Sequence, residues 1–396
     1  MIKVLMVSRS CTHPHDMGNR QRIYRECCQM RALGWQVDFL YWGGKSVGDI
    51  EEMEKFFGKE HFHFAHITSL APKYQLKQIF RRKLDEKSLS RYLSFYYDRD
   101  ELYYKEVEEK VQAILWRERF DILWLQYAYQ SKILEHLGKE IYSVIDTHDV
   151  FAYRNRIYQR KGRIPEGFYT TRGQERKSLS RADLVIAIQE EEEAYFNRLL
   201  EKYPTKCITI GDMVEFHGSS SESEMVFGFI GAENDANVVG VEWLAKKVLP
   251  LIHEMEPLSR CIIAGGICSR IKGDRYYTKI GKVRTLQAYY DQITVAVNPI
   301  QNGTGLNIKG IEALSYGKPL VSTAIGAKGL SGVVGAISVC KDARSFAEQV
   351  VLLLRDRKKC SQMSRAAEHF ISMYNDENRK ALLKVGQLAM DKQRGE

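Results

Sequence analysis

The chain has 396 residues, 44% of them hydrophobic and 28% charged, a balance that supports two packed domains and excludes a low-complexity protein. No window approaches the roughly 18–20 apolar residues that span a bilayer, and Met1–Val7 is too short for a signal peptide, so a cytoplasmic protein is expected. The net charge of +9 admits an anionic substrate, an acidic membrane surface or nucleic acid, while eight cysteines without a CxxC pair read as reduced thiols, not as a disulfide framework or zinc site.

The first half alternates strand-like and helix-like segments. Lys3–Val7 predicts a strand, the loop Ser8–Gly18 follows it, and Asn19–Leu33 predicts a helix stopped by Gly34. Further strands are expected at Val37–Trp42, Ile122–Gln126, Tyr142–Asp146, Leu184–Ile188 and Cys207–Ile210. Helices are expected between them, notably Asp98–Arg119 and Glu190–Lys202. The densest basic stretch is Lys73–Lys87, with Lys73, Lys77, Arg81, Arg82, Lys83 and Lys87, and aromatics follow from Tyr92 to Tyr104. It reads either as a segment touching acidic lipid headgroups or as a solvated insertion. His61, His63 and His66 lack cysteines or a clear carboxylate partner in their spacing, so no metal site is expected there.

The polar, serine-rich run His217–Glu224 reads as a linker, and a second alternation begins at Val226. Strands are expected at Arg260–Ala264, Thr294–Asn298, Leu320–Thr323 and Ala336–Val339, with helices at Val238–Leu249, Thr285–Tyr290, Asn307–Ser315 and Ala343–Arg355. A last helix is expected over Ser361–Lys392. The fold class is therefore α/β, with two doubly wound Rossmann-like domains and a cleft between them. The expected boundaries are residues 1–216, a linker at 217–225, a second domain at 226–370, and a C-terminal helix at 371–396 that packs back on the first domain.

The stretch Asn302–Thr323 carries the most chemistry. A glycine-rich loop, Gly303-Thr304-Gly305, leads through Leu306 and Asn307 into a helix that ends near Gly317. Such a loop and helix N-terminus present backbone N–H groups to an anion. Lys309 and Glu312 are three apart and share a helix face, opposite Ile308, Ile311 and Leu314. A cation for phosphate beside a carboxylate for hydroxyls suits a nucleotide-sugar. The bland alternative is a surface ion pair on an amphipathic helix.

Together with Phe229-Ile230-Gly231, Asn237, Gly265-Gly266, Gly281-Lys282-Val283, Asp146-Thr147-His148-Asp149 and Arg181–Ala187, this block resembles the GT-B glycosyltransferases, in particular the large retaining group known as family 4. The resemblance implies that the second domain holds a nucleoside-diphosphate sugar and the first a glycan or lipid-linked acceptor. It implies donor contacts at Gly18, Asn19, Gly231, Asn237, Gly265, Gly303, Thr304, Gly305, Leu306, Asn307, Lys309 and Glu312. Lys309 would pair with the diphosphate and Glu312 with the ribose hydroxyls. His148 would contact the transferred sugar, and Arg20 or Arg22 could add a cation near Gly18. No catalytic metal or other cofactor is implied.

The chain departs from that pattern in two places. Many members carry a glutamate eight positions before the one matched by Glu312, where this chain has Thr304. Many also carry an Arg and a Lys just after the Gly231 turn, where this chain reads Glu233-Asn234-Asp235-Ala236-Asn237. Lys309 is then the main phosphate cation left. The expected activity is retaining transfer of a sugar to an acceptor hydroxyl in polysaccharide or glycolipid synthesis, at the cytoplasmic side of a membrane. Two rivals stay open: a sugar-nucleotide epimerase on the same scaffold, and a non-catalytic relative kept as a binding partner. Nucleic acid is not expected, because no zinc-finger, RNP-like or helix-turn-helix signature accompanies the charge.

Overall fold

The structure, a computed structural model, describes residues 1–15, 17–44, 49–67, 76–77, 79, 93, 95–98, 100–159, 168–218, 225–301, 308–330 and 332–395. It divides into two compact units. Unit 1 comprises Met1–Gly211 and Asn378–Glu396, and unit 2 comprises Asp212–Glu377.

Unit 1 is built on seven strands: β1 (Lys3–Ser8), β2 (Gln36–Tyr41), β3 (Phe62–Phe64), β4 (Ile122–Gln126), β5 (Tyr142–Asp146), β6 (Leu184–Ala187) and β7 (Lys206–Thr209). Their order is β3-β2-β1-β4-β5-β6-β7 and every pairing is parallel. The central strands β4, β5 and β6 are buried at every residue. This explains their near-continuous apolar sequences, since a parallel sheet is covered on both faces. Trp124, Leu123 and Leu125 are fully buried, each contributing roughly 1.5–3 kcal/mol of apolar burial. Helix α1 (Gly18–Ala32) follows β1, and Gly34 at φ +76° turns the chain toward β2.

Unit 2 holds six strands: β8 (Val226–Ile230), β9 (Arg260–Ala264), β10 (Tyr277–Gly281), β11 (Val295–Asn298), β12 (Leu320–Thr323) and β13 (Ile337–Cys340). Their order is β10-β9-β8-β11-β12-β13, again all parallel. In both sheets the order reverses beside the first strand of the unit. Crevices at the carboxyl ends of strands near such a reversal are where doubly wound sheets bind ligands.

Several local expectations change. The expected helix Val238–Leu249 is a helix over Asp235–Trp243, a π-helical turn over Leu244–Val248, and a further helix over Leu249–Met255. Pro250 has no N–H to give the Lys246 carbonyl and its ring crowds that carbonyl, which accounts for the widened turn. The helix expected from Asp98 starts at Lys105 instead. Tyr97, Leu102 and Tyr104 are buried in the unit 1 core, so this aromatic stretch packs the interior. Strands β3 and β10 were not expected. Both are edge strands; β3 has three residues, and β10 is partly exposed along its length, so neither shows an apolar run.

The last helix runs over Arg357–Arg394, longer at both ends than expected. Its end belongs to unit 1, where Lys392 Nζ binds the Asp183 carboxylate at 2.8 Å and Asn378 Oδ1 accepts the Gly211 N–H at 2.5 Å. The serine-rich run at 219–224 lies outside the described residues, and the units divide earlier, between Gly211 and Asp212. All eight cysteines are free thiols. Among the described residues no helix is long and apolar enough to cross a membrane.

Candidate functional site

In unit 2, three glycines meet at the carboxyl ends of β8, β9 and β10. Gly265, at φ +88°, would place a Cβ only 2.4 Å from the Gly231 carbonyl oxygen. Its N–H donates to Gly281 O at 2.7 Å, and Ile267 N–H donates to Gly231 O at 3.0 Å. Glycine at 265 is thus required by backbone packing. Asn237 is 1% exposed; its N–H is capped by Asn234 Oδ1 at 2.9 Å and its Nδ2 donates to Ala232 O at 2.7 Å. Its Oδ1 is buried without a hydrogen-bond partner among the described residues, as is that of Asn298 at the end of β11. Buried acceptors of this kind are uncommon in folded proteins.

Lys309 and Glu312 both lie on the helix Ile308–Ser315. The loop Gly303, Thr304, Gly305, Leu306 and Asn307, with Asn302, lies outside the described residues. Glu312 is 8% exposed, so it does not sit on a solvated face as an ordinary surface ion pair would. Its Oε1 accepts the Tyr290 hydroxyl at 3.0 Å. Burial first, and then the nearby Glu312 carboxylate, push the Tyr290 phenol well above its usual range. The Tyr290 ring stacks on Tyr316 at 4.5 Å, and Tyr316 on His217 at 4.6 Å. Burial holds the Lys309 ammonium below the ordinary lysine value, with the Glu312 carboxylate acting in the opposite direction. An anion arriving beside Lys309 would favour its charged form.

In unit 1, the residues after β4 and β5 form the second constellation. Tyr127 and His148 both adopt left-handed backbone, at φ +64° and φ +59°. For residues other than glycine this costs about 1–2 kcal/mol each, and such strain collects at functional sites. Their rings stack at 4.1 Å and 15°. His148 Nε2 meets Gln126 Oε1, and Asp146 Oδ2 is 3.7 Å from the same nitrogen. Burial lowers the imidazole to about 4, with Asp146 raising it and Arg22 lowering it further. His148 is therefore neutral at physiological pH. It can accept or donate a hydrogen bond, but it is not poised for proton exchange near pH 7.

Arg22 does not serve as a free cation beside Gly18. Its Nε and Nη2 bind the Asp146 carboxylate at 3.0 and 3.1 Å, Nη2 also reaches Ile210 O at 2.9 Å, and Glu26 Oε1 is 3.1 Å away. Burial works to raise the Asp146 carboxyl, but Arg22 and then His148 hold it down at about 2. Burial and Asp146 push Glu26 well above the carboxylate range. Asp146 is thus a buried structural anion. Asp149 is paired with Arg154 at 3.0 Å.

Gly18 opens α1, and Asn19 lies inside its first turn; the residue at the N-cap position is Met17, without a side-chain cap. Asn19 instead bridges to Ser10 Oγ at 3.1 Å and accepts its neighbour's Arg20 N–H at 3.0 Å.

His61 and His63 do have a carboxylate partner: both bind Asp38, each at 2.9 Å. Among the described residues no group of three or more ligating side chains is disposed to hold a metal. In the basic stretch, Lys77 pairs with Glu101 at 2.5 Å and its ammonium lies 4.8 Å from the Tyr97 ring centroid, so this lysine is spent internally. Lys73, Arg81, Arg82, Lys83 and Lys87 lie outside the described residues. Sequence reasoning missed Tyr290, Tyr316, Gln126 and Tyr127. Tyr127 directly follows a buried strand, the one position that could have drawn notice; nothing in the sequence marks its backbone conformation.

Residues 224–356 match the family model described as Glycosyl transferases group 1. A Klebsiella pneumoniae protein, described as an uncharacterized 44.6 kDa protein in the cps region, is 29% identical over 128 residues; the match covers 29% of this chain and 33% of that protein, about a third of its length. Among solved structures, pneumococcal O-GlcNAc transferase GtfA in complex with UDP and GlcNAc is 10% identical with a TM-score of 0.67, covering 98% of this chain and 99% of that one. A variant of S. aureus TarM in complex with fondaparinux, alpha-GlcNAc-glycerol and UDP is 12% identical with a TM-score of 0.64, covering 97% and 99%. Sucrose-phosphate synthase from Thermosynechococcus elongatus is 14% identical with a TM-score of 0.65 over 100% of both chains. At these identities the likeness is one of fold. The chain therefore has the GT-B fold, and its residues 224–356 match the glycosyl transferases group 1 model.

Proposed function

We propose that the protein is a retaining glycosyltransferase that moves a sugar from a nucleoside-diphosphate sugar to an acceptor hydroxyl. The observation that carries the reading is the buried Glu312 carboxylate, oriented by Tyr290 and three residues from Lys309 on one helix. Lys309 neutralises the leaving diphosphate, assisted by N–H groups of the loop 303–307, so that this charge is balanced by the chain itself without a metal. Glu312 holds the ribose hydroxyls. Gly231, Gly265 and Asn237 shape the donor side at the end of β8. His148, with Gly18 and Asn19, faces the transferred sugar. The departing diphosphate takes the acceptor proton on the same face from which it leaves, giving retention, and the surrounding dipoles stabilise charge that develops in the transition state.

UDP as the donor nucleotide is supported by the GtfA and TarM structures, which hold UDP. A glycan or lipid-linked acceptor in a surface-polysaccharide pathway is supported by the relative from a cps region. Contact with an anionic membrane through Lys73–Lys87 belongs to the same reading, with Lys77 contributing nothing to it. Transfer assays with UDP-, GDP- and ADP-sugars test the activity. Lys309→Ala and Glu312→Ala are expected to lower kcat/KM by about 100-fold or more, the scale for losing a group that stabilises transition-state charge. Wild-type transfer by either variant would remove that residue from the mechanism.

A further inference from the structure

The groups around His148 define more than its charge. Gln126, 3% exposed, touches the histidine with its Oε1, and the orientation of its amide is set at the other end. Nε2 of Gln126 donates to Glu26 Oε2 at 2.8 Å and lies 3.5 Å from the Met6 sulfur. Glu26 is 4% exposed and Met6 fully buried, so water does not substitute for these partners. An amide that gives its N–H groups to a carboxyl and a thioether presents its oxygen to the histidine. An oxygen facing a ring nitrogen requires a proton on that nitrogen. The Asp146 carboxylate, 3.7 Å from the same Nε2 and held ionised by Arg22, favours the proton there as well. The left-handed backbone at 148 and the stacked Tyr127 ring fix the plane of the imidazole.

We infer that His148 is locked as the neutral Nε2–H tautomer by Gln126, leaving Nδ1 as an acceptor that selects a ligand hydroxyl able to donate a hydrogen bond. Gln126 and Glu26 are positioning residues acting through His148. That the selected hydroxyl belongs to a sugar rests on the transferase reading; the tautomer does not. A donor sugar whose hydroxyl at this point is O-methylated or replaced by hydrogen loses the contact.

The test is the 15N spectrum of histidine ring nitrogens in the full-length protein between about pH 5.5 and 8.5, the range over which an ordinary histidine titrates. The His148 signals are assigned by their loss in His148→Asn. The expected result is a pyrrole-type Nε2 and a pyridine-type Nδ1, unchanged with pH. The reverse pattern, an equal mixture, or a titrating imidazolium overturns the inference. The tautomer is read in the wild-type protein, so it does not depend on whether Gln126→Met folds.

Gln126→Met is expected to mix the tautomers and lower kcat roughly tenfold, within the range for one misplaced polar group, with donor KM unchanged. Gln126→Glu, which again offers an oxygen to Nε2, restores the Nε2–H pattern. A single Nε2–H pattern in Gln126→Met removes Gln126 as the positioning group. Wild-type transfer by His148→Asn sinks the sugar-binding role of this site and leaves the tautomer result standing.

Discussion

Gly265→Ala tests the packing of the strand ends on which the donor side of unit 2 is built. The residue sits at φ +88°, and a Cβ would lie 2.4 Å from Gly231 O and 3.1 Å from its C and N. That oxygen is tied to Ile267 N–H at 3.0 Å, and Gly265 N–H is tied to Gly281 O at 2.7 Å, so the two segments cannot separate without losing a hydrogen bond. The positive φ costs an alanine about 1–2 kcal/mol. Relieving the overlap adds about 1–3 kcal/mol, as for overpacking of a core.

The sum, about 2–5 kcal/mol, corresponds to a fall in Tm of about 4–20 °C for a unit of this size. Two other glycines separate the terms. Gly281 has φ +74° with nothing within 4 Å of an added Cβ, so Gly281→Ala should show the backbone term alone. Gly273 has the same open space and no left-handed φ, so Gly273→Ala should be neutral or stabilising by a few tenths of a kcal/mol. Scanning calorimetry of the three variants reads the order directly. A Gly265→Ala transition no lower than that of Gly281→Ala would refute the close packing of β8 against β9.

Tyr290→Phe keeps the ring on Tyr316 but removes the 3.0 Å hydrogen bond to Glu312, and should weaken UDP binding about 5–10-fold by titration calorimetry. An unchanged Kd, with Glu312→Gln clearly weakened, would show that the hydroxyl does not orient the carboxylate. Arg22→Met strips the cation from the fully buried Asp146 and should cost about 3–5 kcal/mol at neutral pH in chemical denaturation. Asp146 sits at about 2 in the folded protein against an ordinary 3.8, so its contribution is present above 3.8 and fades as pH falls toward 2; the deficit of the variant should shrink over the same window. Glu192 behaves oppositely: burial, then Asp149, raise its carboxyl from 4.5 to about 8. Its contribution is present below about 4.5 and lost as pH rises to 8, so Glu192→Gln should stabilise unit 1 by about 2–4 kcal/mol at pH 8 and by little at pH 4. Equal effects at both pH values would contradict the raised carboxyl.

The sequence by itself determined the two parallel sheets. Their inner strands are mostly covered on both faces and are therefore largely apolar, so Ile122–Gln126, Tyr142–Asp146, Arg260–Ala264 and Leu320–Thr323 are legible to the residue. It also marked Lys309 and Glu312 by their strand-loop-helix spacing, and His148 through the resemblance to the GT-B glycosyltransferases. Edge strands escaped, since β3 is three residues long and β10 is partly exposed, without an apolar signature.

Tertiary structure alone decided what each polar group faces. Arg22 reads as an available cation in sequence, yet 124 residues separate it from the Asp146 that consumes it. Glu312 reads as solvent-facing beside Lys309, yet Tyr290 from another helix buries and orients it. The state of His148 depends on Gln126, Glu26 and Asp146, brought together from α1, β4 and β5. Periodicity reports which face of an element is buried. The partner of a buried charge is set by long-range packing, where a low dielectric makes each pairing decisive.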